Sequence, residues 1–294
     1  MKRSESELHK GETIIHKASA QVLKPGLYIV ATPIGNLRDI TLRALDTLTQ
    51  CDLILAEDTR RTGKLLSAYD IKTPLMSYHD HNTQKRIPEI IAHMNKGKIL
   101  ALVSDAGTPL ISDPGFKLVR SISENGHDVI PVPGASALLA SLMVAGLPSD
   151  QFSFIGFLPQ KQAARKKALE DAANLPGTLI AFETGPRLYN SLTDMFDIFG
   201  ERPAVLAREL TKLYEDIKRM PLSELITIVS DHPPKGELVI LIGADTSRLW
   251  DKDAVDTALK TLLPELGAKA ASQDIAKLSG WKKRDVYSRA LQLK

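Results

Sequence analysis

Four polar clusters stand where aliphatic runs stop. The first comprises Asp105, Gly107, Thr108, Pro109, Asp113, Pro114 and Gly115, directly after the β-branched and aliphatic run at 99–103. Glu57, Asp58, Arg60 and Arg61 follow a run at 53–56. Glu183, Thr184 and Arg187 follow one at 178–182, and Arg208, Glu209 and Lys212 one at 204–207. Two prolines and two glycines between 105 and 115 can neither continue a strand nor make a helix. This stretch is therefore expected to be a rigid polar loop at a strand's carboxyl end, where open α/β sheets bind ligands. The bland alternatives are helix caps for the aspartates and exposed salt bridges, worth little each, for the charged clusters. The clusters would converge on one cleft if two sheets present their strand ends to the same space.

Several chemistries are absent. The turn Thr32-Pro33-Ile34-Gly35-Asn36 has one glycine and lacks the G-x-G-x-x-G of a dinucleotide site, and there is no G-x-x-x-x-G-K. That argues against nicotinamide enzymes and P-loop NTPases, and leaves a ligand without a pyrophosphate. His79 and His81 would point the same way in a strand. No third ligand stands near them and zinc takes three or four, so no metal is expected. Ser136 sits in PGASA rather than G-x-S-x-G, and no Ser-His-Asp order is present. A single cysteine, Cys51, excludes an intrachain disulfide and fits a reducing cytosol.

The elements that must position these groups alternate. Strands are expected at 27–31, 53–56, 74–78, 99–103 and 129–132, with helices at 40–48, 62–69, 83–95, 116–124 and 136–145 between or after them. Asp39 or Thr41 would cap the first helix. The pattern pauses near 149 and restarts with strands at 152–157, 178–182, 204–207 and 237–242 and helices within 162–174, 187–199 and 221–230. Such alternation predicts mostly parallel sheets with helices on both faces. The division is a poorly ordered tail at 1–25, an α/β domain at 26–149, a second at 150–243 closing a cleft, and a helical domain at 253–294 after a linker. In the last, Ser279-Gly280-Trp281 would turn between helices, with Ala271, Ile275 and Leu278 on one face and Val286, Ala290 and Leu291 packed inward on another. Helix, glycine-containing turn and basic helix make a helix-turn-helix pattern; a packing bundle or dimer brace is the alternative.

Charge and hydropathy fit this division. The 294 residues are 43% hydrophobic and 25% charged, ordinary for a soluble globular chain. No stretch approaches a membrane span, and MKRSESELHKGE has no apolar core for a secretory signal. The net charge of +3 is gathered at the two ends, leaving the body net negative. Lys282, Lys283, Arg284 and Arg289 fall on or near the last helix. A basic end points to an anionic partner such as nucleic acid, or simply to a solvated tail.

The segments GLYIVATPIGNLRDIT, LAEDTRRTGKLL, YHDHN, VSDAGTPLISDPG, VPGASA, GFLP, ARELTKLYE and KGELVILI run in order from Gly26 to Ile242. Together they resemble the tetrapyrrole methylase superfamily, and within it the bacterial ribosomal RNA small-subunit methyltransferase I family, whose C-terminal helix-turn-helix the tail also resembles. The resemblance implies two tandem α/β domains, homodimers, a cytoplasmic location, and S-adenosylmethionine in the interdomain cleft. It implies methyl transfer to the ribose 2′-hydroxyl of a cytidine in the decoding region of 16S ribosomal RNA. Ala106-Gly107-Thr108-Pro109 stands where the wider superfamily has G-G-D-P, with Asp105 a substitute for the missing carboxylate. Donor contacts are implied for Pro33, Asp105, Ala106, Gly107, Thr108, Ile111, Ser136, Ala137 and Glu183. A ribose hydroxyl is weakly acidic and benefits from a general base. Glu57, Asp58, His79, His81, Glu183 and Glu209 are all candidates, with Arg60 beside them in the catalytic cluster. Arg187, Arg208, Lys212, Lys282, Lys283 and Arg284 are the candidates for RNA phosphates. A tetrapyrrole methyltransferase and a non-catalytic RNA-binding protein of the same fold are the rival readings. The absence of a glycine-rich first loop opposes the former.

Overall fold

The structure, a computed structural model, describes residues 22–244, 252–279 and 281–293. Most of the tail at 1–25 and of the linker at 244–252, Gly280 of the expected turn, and the side chain of Leu278 lie outside the described residues.

The first sheet contains β1 (Gly26–Val30), β2 (Leu53–Ala56), β3 (Leu75–Ser77), β4 (Ile99–Val103) and β5 (Val129–Val132). All pair in parallel, in the order β3-β2-β4-β1-β5. Parallel neighbours need crossovers, here α1 (Leu42–Gln50), α2 (Thr59–Ala68), α3 (Thr83–Met94) and α4 (Phe116–Glu124). Alternation sorts the side chains. Ala101 and Val103 pack with Ala44 and Leu48 of α1 and Leu66 of α2 on one face. Leu100 and Leu102 pack with Ile90 and Met94 of α3 and Leu118 and Ile122 of α4 on the other. Burial on both faces is why these strands read as continuous apolar runs. The Thr41 hydroxyl accepts the Ala44 N–H at 3.1 Å, so α1 starts after Ile40 rather than at it. A further helix, α5 (Ala137–Ala145), leads out of this sheet.

The strand order creates a crevice. The chain leaves β1 toward β2 and leaves β4 toward β5, in opposite directions across the sheet. The helices that follow these two neighbours therefore lie on opposite faces of the sheet, and the polar loops at their carboxyl ends border the crevice between the two connections.

The second sheet contains β6 (Phe152–Phe157), β7 (Thr178–Thr184), β8 (Pro203–Arg208), β9 (Asp216–Pro221) and β10 (Glu237–Ile242), in the order β6-β7-β10-β8-β9. Only β6 and β7 are parallel; β10 runs against both β7 and β8, and β9 against β8. This half is a mixed sheet rather than the mostly parallel one the alternation predicts. Strand β9 lies outside the strands the pattern predicts. Its sequence, DIKRMP, is half charged and ends in proline. That is the composition of an edge strand, whose outer side needs no ladder partner.

Helices α6 (Gln162–Ala172), α7 (Gly185–Phe199) and α8 (Leu222–Asp231) cover one face through Leu169, Leu188, Leu192 and Leu225. The opposite face presents Ile180, Val205, Ala207, Val239 and Leu241, and α5 covers it with Leu138, Leu142 and Ala145. The helix that leads out of the first sheet thus packs on the second, and Ile34 of the loop after β1 joins the same cluster.

At the C-terminus, α9 (Lys252–Ser279) is broken at Gly267, and α10 (Lys283–Gln292) packs on it through Val255, Leu259, Ala271, Ile275, Val286 and Ala290. Leu291, expected inward, is 54% exposed. Arg289 is engaged in a forked ion pair with Asp256 that ties α10 to α9, and so does not stand free for phosphate. Among the described residues no helix is long and apolar enough to cross a membrane.

If α5 joins the sheets by packing, Leu142→Ala, at a side chain 8% exposed, should cost about 2–5 kcal/mol. Its neighbour Met143, 83% exposed, should tolerate alanine within about 0.5 kcal/mol. Urea titration of both variants checks this, and equal losses would refute the packing.

Candidate active site

The loops after β1, β4 and β5 are stitched into one surface. The Thr32 N–H donates to the Gly107 carbonyl at 2.8 Å and the Gly107 N–H to the Thr32 carbonyl at 3.0 Å. The Thr108 hydroxyl donates to the Ala135 carbonyl at 3.1 Å. Gly107 has φ +78°, and a Cβ there would lie 3.2 Å from Ile34 Cγ2. Only glycine meets both demands cheaply.

A loop from the second half closes on the first turn. The Asn36 N–H donates to Thr211 Oγ1 at 3.1 Å. A Cβ on Gly35 would come within 2.9 Å of both the Leu210 carbonyl oxygen and Thr211 Oγ1, and would also strike Lys212 Cγ. The one glycine of the Thr-Pro-Ile-Gly-Asn turn therefore admits a neighbouring chain segment, a role its sequence context does not reveal. The approaching loop is itself braced. The Glu209 carboxylate accepts the Glu237 N–H at 2.9 Å and the Lys212 ammonium at 3.0 Å. The backbone N–H of Glu237 first, then Lys212, hold the Glu209 carboxyl below the usual range. Lys212 also reaches Glu237 at 3.0 Å.

Between the sheets lies a cavity of about 370 Å³. Asp105, Ala106, Gly107, Thr108, Ile111, Asp113, Ser136 and Ala137 line one side, and Phe157, Phe182, Glu183, Glu237 and Val239 the other. Phe157 and Phe182 meet edge to face, with centroids 5.5 Å apart. Among the described lining residues Arg61 is the one Lys or Arg, against Asp105, Asp113, Glu183 and Glu237. Asp105 accepts the Asp58 N–H at 3.0 Å and pairs with Arg61 at 3.2 Å. Glu183 is only 1% exposed. It accepts the Thr184 N–H at 2.9 Å and the Ser191 hydroxyl at 2.6 Å, and pairs with Arg187 at 3.2 Å. Arg187 in turn donates to the Leu158 carbonyl. The Glu183 carboxylate is thus buried and hydrogen-bonded rather than an exposed strand-end charge, while Arg187, a quarter exposed, keeps its Nε without a hydrogen bond.

Of the sequence candidates, Asp105, Ala106, Gly107, Thr108, Ile111, Ser136, Ala137 and Glu183 meet at the cavity wall. Pro33, Glu57, Asp58, Arg60, His81, Arg187, Arg208, Glu209 and Lys212 lie outside that lining. Asp58 caps α2 through the Arg60 N–H at 2.8 Å, and the Arg60 side chain is 88% exposed. Arg61, one helical step on, is the arginine that reaches Asp105. Burial first, then the Asp113 and Asp105 charges, push the Glu57 carboxyl up. His79 and His81 sit past β3 in a turn, where the His79 N–H donates to Asn82 Oδ1 at 3.0 Å; their rings are 6.0 Å apart. Among the described residues no group of three or more His, Cys, Asp and Glu is placed to hold a metal. Lys282, Lys283 and Arg284 are exposed at the start of α10. Asp113, Glu237, Phe157 and Phe182 are site residues that sequence reasoning missed. Asp113 carried a signal in its place in the loop after β4, and Phe157 and Glu237 in the GFLP and KGELVILI segments.

Comparison with known proteins bears on this cleft. Residues 26–226 match the family model for tetrapyrrole (corrin/porphyrin) methylases, and residues 251–294 match that for the RsmI C-terminal HTH domain. The ribosomal RNA small subunit methyltransferase I of Vibrio cholerae is 47% identical over 274 residues, covering 91% of this chain and 95% of that protein. That of Mesorhizobium japonicum is 44% identical over 281 residues, 94% of each. Among solved structures, the cobalamin biosynthetic enzyme cobalt precorrin-4 methyltransferase superposes with a TM-score of 0.57 at 18% identity, over 74% of this chain and 94% of that one. A uroporphyrin-III C-methyltransferase from Thermus thermophilus, solved with S-adenosylhomocysteine, gives 0.53 at 18% identity, over 76% and 99%. These distant structures share the fold of two α/β halves. The sequence matches go further, and the chain belongs to the ribosomal RNA small subunit methyltransferase I family, on the tetrapyrrole methylase fold with a C-terminal helix-turn-helix domain.

Proposed function

We propose that this chain transfers a methyl group from S-adenosylmethionine to the ribose 2′-hydroxyl of a cytidine in the decoding region of 16S ribosomal RNA, as a cytoplasmic homodimer. Family membership supports methyl transfer to small-subunit RNA. The observation that carries the donor is the cavity between the sheets. Its volume falls within the range of small-molecule sites. Phe157, Phe182, Ile34 and Val239 offer apolar surface for an adenine, and the surplus of carboxylates favours a cationic sulfonium. Gly107, without a Cβ, lets the loop backbone face a ligand closely.

Bound there, the donor would supply an electrophilic methyl on a positively charged sulfur. Asp105 stands ready to orient it, fixed by the Asp58 N–H and Arg61. Ala106, Gly107, Thr108, Ile111, Ser136 and Ala137 form the wall it would rest on, and Pro33 stiffens the turn after β1. Positioning supplies much of the rate in such an in-line displacement. Glu57, Asp58, Arg60, His81 and Glu209 act around this wall, by shaping its charge or bracing its loops. Lys282, Lys283 and Arg284, with Arg208 nearer the cleft, are the proposed phosphate contacts, whereas Lys212 is held by Glu209 and Glu237; such contacts position RNA without reading its sequence.

Three outcomes follow. Wild-type protein with labelled donor and small ribosomal subunits should yield one dinucleotide resistant to alkali, because a methylated 2′-oxygen cannot attack the adjacent phosphate. Label on a base, or only on a precorrin-type substrate, would reject the reading. The double variant Gly107→Val, Ser136→Tyr should stay folded, the left-handed position costing about 1–3 kcal/mol, and should lose donor binding by calorimetry. Wild-type affinity in the folded variant would displace the donor from this cavity. Changing Lys282, Lys283 and Arg284 to Gln should weaken small-subunit binding and flatten its salt dependence by roughly 0.7 in log–log slope for each phosphate no longer neutralised. Donor affinity should stay unchanged.

A further inference from the structure

Three of the four cavity-lining carboxylates are already engaged. Asp105 holds the Asp58 N–H and Arg61, Glu183 holds Thr184, Ser191 and Arg187, and Glu237 holds Lys212. Asp113 faces the same cavity, half-buried, with no ion pair among the described residues. Ser104 stands just past β4, its hydroxyl donating to the Ala106 carbonyl at 3.3 Å and close enough to Asp113 to favour the ionised carboxylate. Its backbone setting is costly. Leu110 and Ser112 carry φ of +74° and +65°, left-handed values at non-glycine residues, and Pro114 follows at once. Such strain costs on the order of 1–3 kcal/mol per residue and collects at functional sites. Here it brings a carboxylate with no cation on it to the wall of the cavity.

We propose that Asp113 is the general base of the reaction, accepting the proton of the ribose 2′-hydroxyl; this rests on the ribose-methylation reading above. In the step, the hydroxyl oxygen forms a bond to the methyl carbon as the carbon–sulfur bond breaks. Sulfur keeps that electron pair and becomes a neutral thioether. The hydroxyl proton passes to the Asp113 carboxylate, which later releases it to water. A neighbouring cation lowers a carboxylate's basicity, so the three engaged carboxylates are weaker bases than the unpaired Asp113.

The surroundings set the pH dependence. Glu57 at the end of β2 and Asp105 on the same loop face Asp113 as like charges, with Asp80 beyond Glu57 and Arg61 of α2 held by Asp105. Burial foremost, then Asp105, raise the Asp113 carboxyl above the ordinary aspartate range, against the Ser104 hydroxyl. Turnover should therefore fall as pH drops through this raised value, and should be full above it.

The test compares wild type, Asp113→Asn, Asp113→Glu and Ser104→Ala on small subunits with labelled donor. Thermal melting and calorimetric donor affinity are measured alongside. Asp113→Asn should lose about 10²–10⁴-fold in kcat while donor and subunit affinities hold. Ser104→Ala, deprived of the hydroxyl that favours the ionised form, should move the acidic limb of the pH profile upward; it carries the test should Asp113→Asn fail to fold. A folded Asp113→Asn with near-wild-type kcat, a loss seen in donor affinity instead, or an unmoved limb in Ser104→Ala would overturn the assignment. If the wild type makes no ribose-methylated product, the parent reading falls and this one with it. If it does, and Asp113→Asn does so equally fast, the assignment of the base alone falls.

Discussion

The cleft depends on one apolar contact. Helix α5 is hydrophobic around most of its circumference, and it spends Leu138, Leu142 and Ala145 on the face of the second sheet formed by Ile180, Val205, Val239 and Leu241. Side chains of this size contribute about 1.5–3 kcal/mol each when fully buried. The same helix begins at Ser136 and Ala137, which line the cavity. Sheet packing and cavity geometry are therefore coupled through one short helix. Beside it, Asn36 and Gly35 meet the 209–212 loop. The fitted turn adjoins the same core, since Ile34 and Leu210 belong to the apolar cluster that α5 forms on the second sheet.

Charge is divided along the same lines. The cavity wall is acidic apart from Arg61, whereas the exposed cations of α10 belong to a separately packed pair of helices. An acidic wall suits a cationic donor and would repel a polyanion, so attraction of RNA and binding of a sulfonium call for different surfaces. Lys212, Arg187 and Arg289 illustrate how little of the total positive charge is free. Each is committed to a carboxylate, and two of those pairs brace the elements around the cavity.

Much of this was legible in the sequence. Pro and Gly between 105 and 115 marked the ligand-facing loop because few backbones accommodate them, and Thr108, Ser136 and Ala137 could be placed beside it by their motifs. What escaped notice depends on partners remote in sequence or on local helical phase. Gly35 has its reason far along the chain, where its neighbour Asn36 bonds Thr211, 175 residues on. Glu183 looked exposed because its hydroxyl partner, Ser191, arrives only two turns along α7. Arg60 and Arg61 are indistinguishable by type, and the helical rotation between them decides which one reaches Asp105. Strand β9 hid behind edge-strand composition. The mixed second sheet could not be read from alternation, since an apolar strand buried on both faces looks alike in either direction.

Amide hydrogen exchange with and without S-adenosylhomocysteine tests the central claim, that the space between the two sheets is the donor site. Protection should rise together in 104–113 and 134–138 and at the 209–212 loop, because ligand in this cavity touches or braces all three. Protection confined to the separate hollow formed by Arg202, Pro203, Arg219 and Met220, with the 104–113 loop unchanged, would contradict it.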